Sequence, residues 1–227
     1  MSQIVELGKN SLNSLPLYLG EKSPKNIFLV TGGRSFETSG VKDKLFSILD
    51  QYQVFRFSDF EKNPKIEDVE NGVRLFNQNK CDLIIAVGGG SVIDMAKLIK
   101  FFSHKAPPFE KYFKERLVEG QDIPLVVVPT TAGAGSEATH FAVVYHNKIK
   151  FSIADNNLLP NLALINPSYL ASQSNYQMTV SAIDALAQGI ESFWCVNSTE
   201  ESMELSLKAI KLIWGNLMKA VKELAEK

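Results

Sequence analysis

The sequence predicts an α/β domain with a parallel sheet over residues 1–166, followed by the start of an all-helical domain over 167–227. Three observations carry this. Short apolar runs alternate with helix-period segments as far as Asn166, the pattern of a parallel, doubly wound sheet. The strongest run, 83–87, ends in a glycine triplet that opens directly into a helical pattern. Beyond Pro167 the apolar residues recur only at helical spacing.

Residues 26–31 (NIFLVT) form an apolar run closed by Gly32 and Gly33, as a buried strand with a tight turn requires. Val41, Leu45, Ile48 and Leu49 mark a helix, and Val54, Phe55 and Phe57 a second strand. After Pro64, the residues Ile66, Val69, Val73 and Phe76 give the core face of another helix. The segment 92–102 is apolar nearly all round, with Asp94, Lys97 and Lys100 on one face, so this helix is expected to be largely buried. Residues 125–128 read as a buried strand ending at Pro129, 141–145 with 150–154 as a hairpin, and 162–165 as a last short strand. Val180, Ile183, Leu186, Ile190 and Phe193 then mark one helix. Ser198 with Glu201 reads as a capping box for a final helix, with Met203, Trp214 and Met218 at core spacing.

Composition narrows the function classes. Of 227 residues, 45% are apolar and 22% charged, so the chain is expected to fold. Lys plus Arg (24) nearly equals Asp plus Glu (25), which leaves no basic field for nucleic acid or anionic lipid and favours a small-molecule partner. No apolar run reaches the roughly 18 residues of a membrane span, and no signal-peptide pattern opens the chain, so a cytoplasmic location is expected. Cys81 and Cys195 read as plain thiols.

Two small-residue loops carry the chemistry. Gly88, Gly89, Gly90 and Ser91 lie between a strand and a helix, where main-chain N–H groups and the helix dipole meet an anion. A bare turn also needs glycine, but the strand–turn–helix setting favours phosphate. The second loop, 129–137, follows another strand at the same sheet edge and offers Thr130, Thr131 and Ser136 as hydrogen-bonding groups. Two such loops at one edge form the cleft of a Rossmann-like domain. His140 directly follows the second loop and is a candidate proton donor or substrate contact, with a turn or core histidine as the alternative. His104 and His146 read as surface residues.

The texts GGGSVIDMAK (88–97), PTTAGAGSEAT (129–139) and IDALAQGIES (183–192), in that order, resemble the iron-containing, or group III, alcohol dehydrogenases. The resemblance implies hydride transfer between NADP (or NAD) and a small alcohol or aldehyde, with a divalent metal, iron or zinc, polarising the substrate oxygen. It places Gly89, Gly90 and Ser91 at the pyrophosphate, Thr130 and Thr131 on the nicotinamide side, and Ser136 near a ribose. Asp94 and Lys150 join them on the cofactor side. It matches Asp184 to the first metal ligand, whereas Gln188 stands where the family has a histidine and no histidine follows His146. An amide oxygen is a poorer ligand than imidazole for such metals. At Gly32 the family often carries an Asp; its absence, with Gly33 giving room and Arg34 and Ser35 beside it, implies a preference for NADPH. Gln188 and the pair Ala138–Thr139 bring the text nearest the phosphonoacetaldehyde reductase branch. Family chains continue through more helices, so a truncated or split enzyme is expected. Assembly as a homodimer is a further expectation. The alternative is a non-catalytic nucleotide-binding module.

Overall fold

In the computed structural model, residues 3–113 and 122–225 are described. Six parallel strands form one sheet in the order β1 (Ile4–Leu7), β8 (Leu162–Ile165), β5 (Leu125–Pro129), β4 (Leu83–Gly88), β2 (Asn26–Thr31) and β3 (Gln53–Phe57). From β2 the chain first moves outward to β3, then returns across β2 to β4 and continues to β5 and β8. The winding direction therefore reverses between β2 and β4. Their carboxyl ends diverge into loops on opposite sides, which opens a crevice there.

Side chains alternate between two cores, as the two-residue period of a strand dictates. Phe28, Val30, Ile84, Ala86, Leu125 and Val127 face α4 (Ile66–Gln78) and α5 (Gly90–Phe102). Ile27, Leu29, Leu83, Ile85, Val126 and Val128 face α1 (Leu15–Lys22) and α3 (Val41–Leu49). Strands covered on both faces read as continuous apolar runs, which is why four of the six stand out in the sequence. An antiparallel hairpin, β6 (Phe141–His146) and β7 (Ile149–Ala154), lies over the α5 side, with Ala142, Val144 and Ile153 in the first core.

Several elements depart from the sequence expectation. β1 is an edge strand with Ile4, Val5 and Leu7 exposed, so no buried run announces it. α1 contains Pro16 and Gly20, residues that suggest a turn, but Pro16 sits in the first helical turn where its missing N–H is harmless. The short helix α2 (Arg34–Thr38) follows the Gly32–Gly33 turn. Lys97 and Lys100 on α5 are buried rather than solvated. His146 is half-buried, 3.7 Å from a Glu110 carboxylate oxygen, and not a surface residue.

Beyond β8, Asn166 accepts the Ser168 N–H, and the side chain of Ser174 caps α6 (Asn175–Trp194) by accepting the Gln177 N–H. The cap of α7 (Glu200–Ala225) is one residue later than expected: Thr199 and Ser202 exchange reciprocal side-chain bonds to each other's amides at 3.1 and 2.8 Å. The two helices pack closely because Gly189 admits Ile210 and Ser206. Their other faces are bare: Trp194 is 81% exposed, Trp214 77% and Met218 66%. Spacing placed Trp214 and Met218 at core positions, but no partner covers them among the described residues. No described helix is long and apolar enough to cross a membrane.

Phe28 anchors the first core, its ring 5.9 Å from Phe57 and edge-on to Phe76 at 5.5 Å. Phe28→Ala is expected to cost about 3–5 kcal/mol, read as a lower urea midpoint with an unchanged denaturant slope.

Candidate active site

A cleft of about 930 Å³ opens at the crevice between the diverging strands. Gly32, Gly33 and Arg34 after β2 form one wall, Gly89, Gly90 and Ser91 at the head of α5 the floor, and Thr130, Thr131 and Ser136 after β5 the opposite wall. Lys150 from β7, Asp94 from α5 and Asp184 from α6 complete its rim. The two small-residue loops thus meet across one cavity.

The glycines differ in purpose. Gly88 is the last residue of β4, and a Cβ there would lie 2.5 Å from the Val92 Cγ2; it serves strand–helix packing and does not line the cleft. A Cβ on Gly89 would stand 2.9 Å from the Thr131 hydroxyl, and one on Gly90 3.2 Å from Ala134 and Ser136. Gly89 and Gly90 therefore let the second loop close against the first. Gly89 caps α5 through its carbonyl, which accepts from both Val92 and Ile93, and no side chain caps this end. The leading amides of a helix have no partner within it, so they face the cleft as an anion site aligned with the helix dipole.

Polar groups converge on the same space. Thr130 is buried with its hydroxyl unpartnered, and its carbonyl accepts from Gln173 at 2.8 Å. Asp94 accepts the Val143 N–H at 3.2 Å; burial pushes its carboxyl upward, opposed by that bond, by Lys97, by Ser136 and by Lys150. Lys97 is fully buried and donates to the carbonyls of Ser136, Thr139 and Phe141 at 2.7, 2.6 and 2.9 Å and to the Thr139 hydroxyl at 3.2 Å. Sequence reading saw Lys97 only as part of a polar face, because its partners lie 39 to 44 residues away.

At the β2 end, a Cβ on Gly32 would meet only the Ser35 Oγ at 2.7 Å and Val92 at 3.5 Å. Nothing lies within 4 Å of one on Gly33. Arg34 is exposed on the cleft wall, and Lys62, which sequence reading missed, joins it there from the loop after β3. The only signal for Lys62 was its place in a loop after a strand of the same sheet. Arg56 does not enter the cleft: its Nε donates to Thr31 at 2.9 Å and its guanidinium lies over Phe36 at 4.6 Å.

Two candidates, His140 and Gln188, lie apart from this geometry. The His140 ring packs on Phe141 with centroids 4.2 Å apart, and His140 does not line the cleft. Asp184, matched by the resemblance to a metal ligand, lines it and is exposed; Gln188, one turn on, does not line it and donates its amide to Asp184 at 2.9 Å. Among the described residues no group of three or more His, Cys, Asp or Glu could hold a metal ion. One carboxylate and one amide do not make a transition-metal site.

Residues 2–167 match the iron-containing alcohol dehydrogenase family. Among curated relatives, the chain is 32% identical over 221 residues to the NADPH-dependent butanol dehydrogenase of Clostridium saccharobutylicum, covering 94% of this chain and 56% of that protein. It is 30% identical over 220 residues to long-chain-alcohol dehydrogenase 1 of Geobacillus thermodenitrificans, covering 95% and 55% respectively. An iron-containing alcohol dehydrogenase structure from Thermotoga maritima superposes with a TM-score of 0.89 at 28% identity, over 98% of this chain and 62% of that one. The chain thus spans little more than half the length of these relatives.

Gly133 joins the cleft to the helical part. Its φ of +116° suits glycine alone, and a Cβ there would collide with the Ser181 carbonyl of α6. Gly133→Ala is expected to cost about 1–3 kcal/mol and to speed proteolytic cleavage between β8 and α6, checked by chemical denaturation and limited digestion.

Proposed function

The chain belongs to the iron-containing alcohol dehydrogenase family, and from that membership we propose that it is the cofactor-binding part of an NAD(P)-dependent oxidoreductase for a small alcohol or aldehyde. The observation that carries this reading is the cleft at the strand-order reversal, floored by a helix N-terminus without a side-chain cap and walled by two loops rich in glycine, threonine and serine.

In this reading the Gly90 and Ser91 end of α5 holds the pyrophosphate, since only glycine lets main chain approach it closely. The unpartnered Thr130 hydroxyl, with Thr131, takes the nicotinamide side, and Ser136 and Lys150 bind near the adjoining ribose. Bound nicotinamide supplies the hydride, and the protein supplies orientation and the exclusion of water. The finer substrate reading, phosphonoacetaldehyde, rests on Gln188 and on Ala138–Thr139.

NADPH is the preferred cofactor in this proposal. Gly32 offers no carboxylate to repel a 2′-phosphate, and Arg34 and Lys62 flank the space with cations. Calorimetric titration is expected to give tighter binding of NADPH than of NADH, with Gly32→Asp removing about tenfold or more of that preference through like-charge repulsion. Equal binding of the two cofactors by the unaltered chain would refute the assignment of this wall.

Metal retention gives a separate check. Because Asp184 and Gln188 pair with each other and no larger ligand cluster accompanies them among the described residues, iron or zinc is expected to leave the chain during dialysis. Elemental analysis finding a full equivalent after dialysis would show that a competent site exists.

A further inference from the structure

We propose that Lys97 is a positioning residue for the nucleotide cleft: its buried ammonium ties the helix that bears the pyrophosphate turn to the loop that bears Ser136, so that the two walls keep their spacing. This rests on reading the cleft as a dinucleotide site.

The geometry is that of a saturated cation. An ammonium has three N–H bonds, and Lys97 finds three carbonyls at 2.6 to 2.9 Å, those of Ser136, Thr139 and Phe141. These lie on the 3-10 turn after β5, on the strand-entry residue and at the start of β6. Asp94, one turn nearer the glycine floor, completes the tie with the opposite polarity by accepting the Val143 N–H. One helix therefore holds the segment 136–143 by two charged side chains, while its first turn faces the ligand. The neutral amine has two N–H bonds and a lone pair, so one carbonyl would be left facing a lone pair. The charged groups facing Lys97 are Asp94 on the same helix and Glu137 on the 3-10 turn; burial pulls its pKa down to about 8, and both carboxylates pull it upward. The tie is thus expected to loosen as pH rises through about 8.

The test uses the whole chain. NADPH affinity is measured by calorimetry from pH 7 to 9.5 for the unaltered protein and for Lys97→Met, and amide exchange of 136–143, corrected for intrinsic rates, is followed over the same range. The expected result is a fall in affinity of about fivefold or more across that range in the unaltered protein, in step with lost protection of 136–143 while β4 stays protected. Lys97→Met, shown to be folded by circular dichroism, should bind about tenfold or more weakly at pH 7 and lack the pH dependence. A folded Lys97→Met with unaltered affinity, or flat affinity and protection in the unaltered chain, would overturn the proposal. If Lys97→Met does not fold, the two pH series on the unaltered chain decide. If the unaltered chain binds neither NADPH nor NADH at pH 7, the cleft reading has failed instead, and the exchange series alone judges the tie.

Discussion

The reversal of winding between β2 and β4 is the constraint on which the rest of the molecule depends. Neighbouring parallel strands connected in the same direction have their carboxyl ends roofed by successive crossovers; where the direction changes, the roof parts. Everything polar and close-packed at the cleft follows from that gap. The head of α5 opens into it, the loops after β2 and β5 flank it, and the hairpin β6–β7 is drawn over its side by the Tyr145 N–H bond to the Pro64 carbonyl.

Close approach explains four glycines of this region. Gly88 makes room for Val92, Gly89 for Thr131, Gly90 for Ala134 and Ser136, and Gly133 for the backbone of α6. A narrow cleft between two loops requires main chain to stand where side chains ordinarily would. No side chain caps α5, whose first turn is held by the Gly89 carbonyl and lines the cleft.

The helical part is organised differently. α6 and α7 bury their facing sides around Gly189 and Ser206, while Val180, Ile183, Leu212 and Trp214 stay exposed. The chain covers 55% and 56% of its two named relatives, and its helical part adds Gln173, Gln177, Val180, Ser181 and Asp184 to the lining of the cleft. Among the described residues no group of three or more His, Cys, Asp or Glu gathers on this side.

Much of this was legible from residues alone, for definite reasons. Strands buried on both faces appear as unbroken apolar runs, so β2, β4, β5 and β8 declare themselves; β1, half-exposed at an edge, does not. The glycine turn and the second loop were legible because local backbone geometry demands those residue types. Lys97 and Lys62 were not, since a lysine looks the same in a sequence whether it is solvated, set on a cleft wall or held by three carbonyls about 40 residues away. Likewise the family resemblance matched Asp184 to a metal ligand, but only packing showed that Asp184 is exposed and bonded to Gln188. The sequence by itself determined the alternation of strands and helices and the two loops, because those depend on neighbours along the chain. Tertiary structure alone decided which charges are buried, which glycines touch what, and which loops share a cleft, because those depend on groups that only folding brings within a few ångströms.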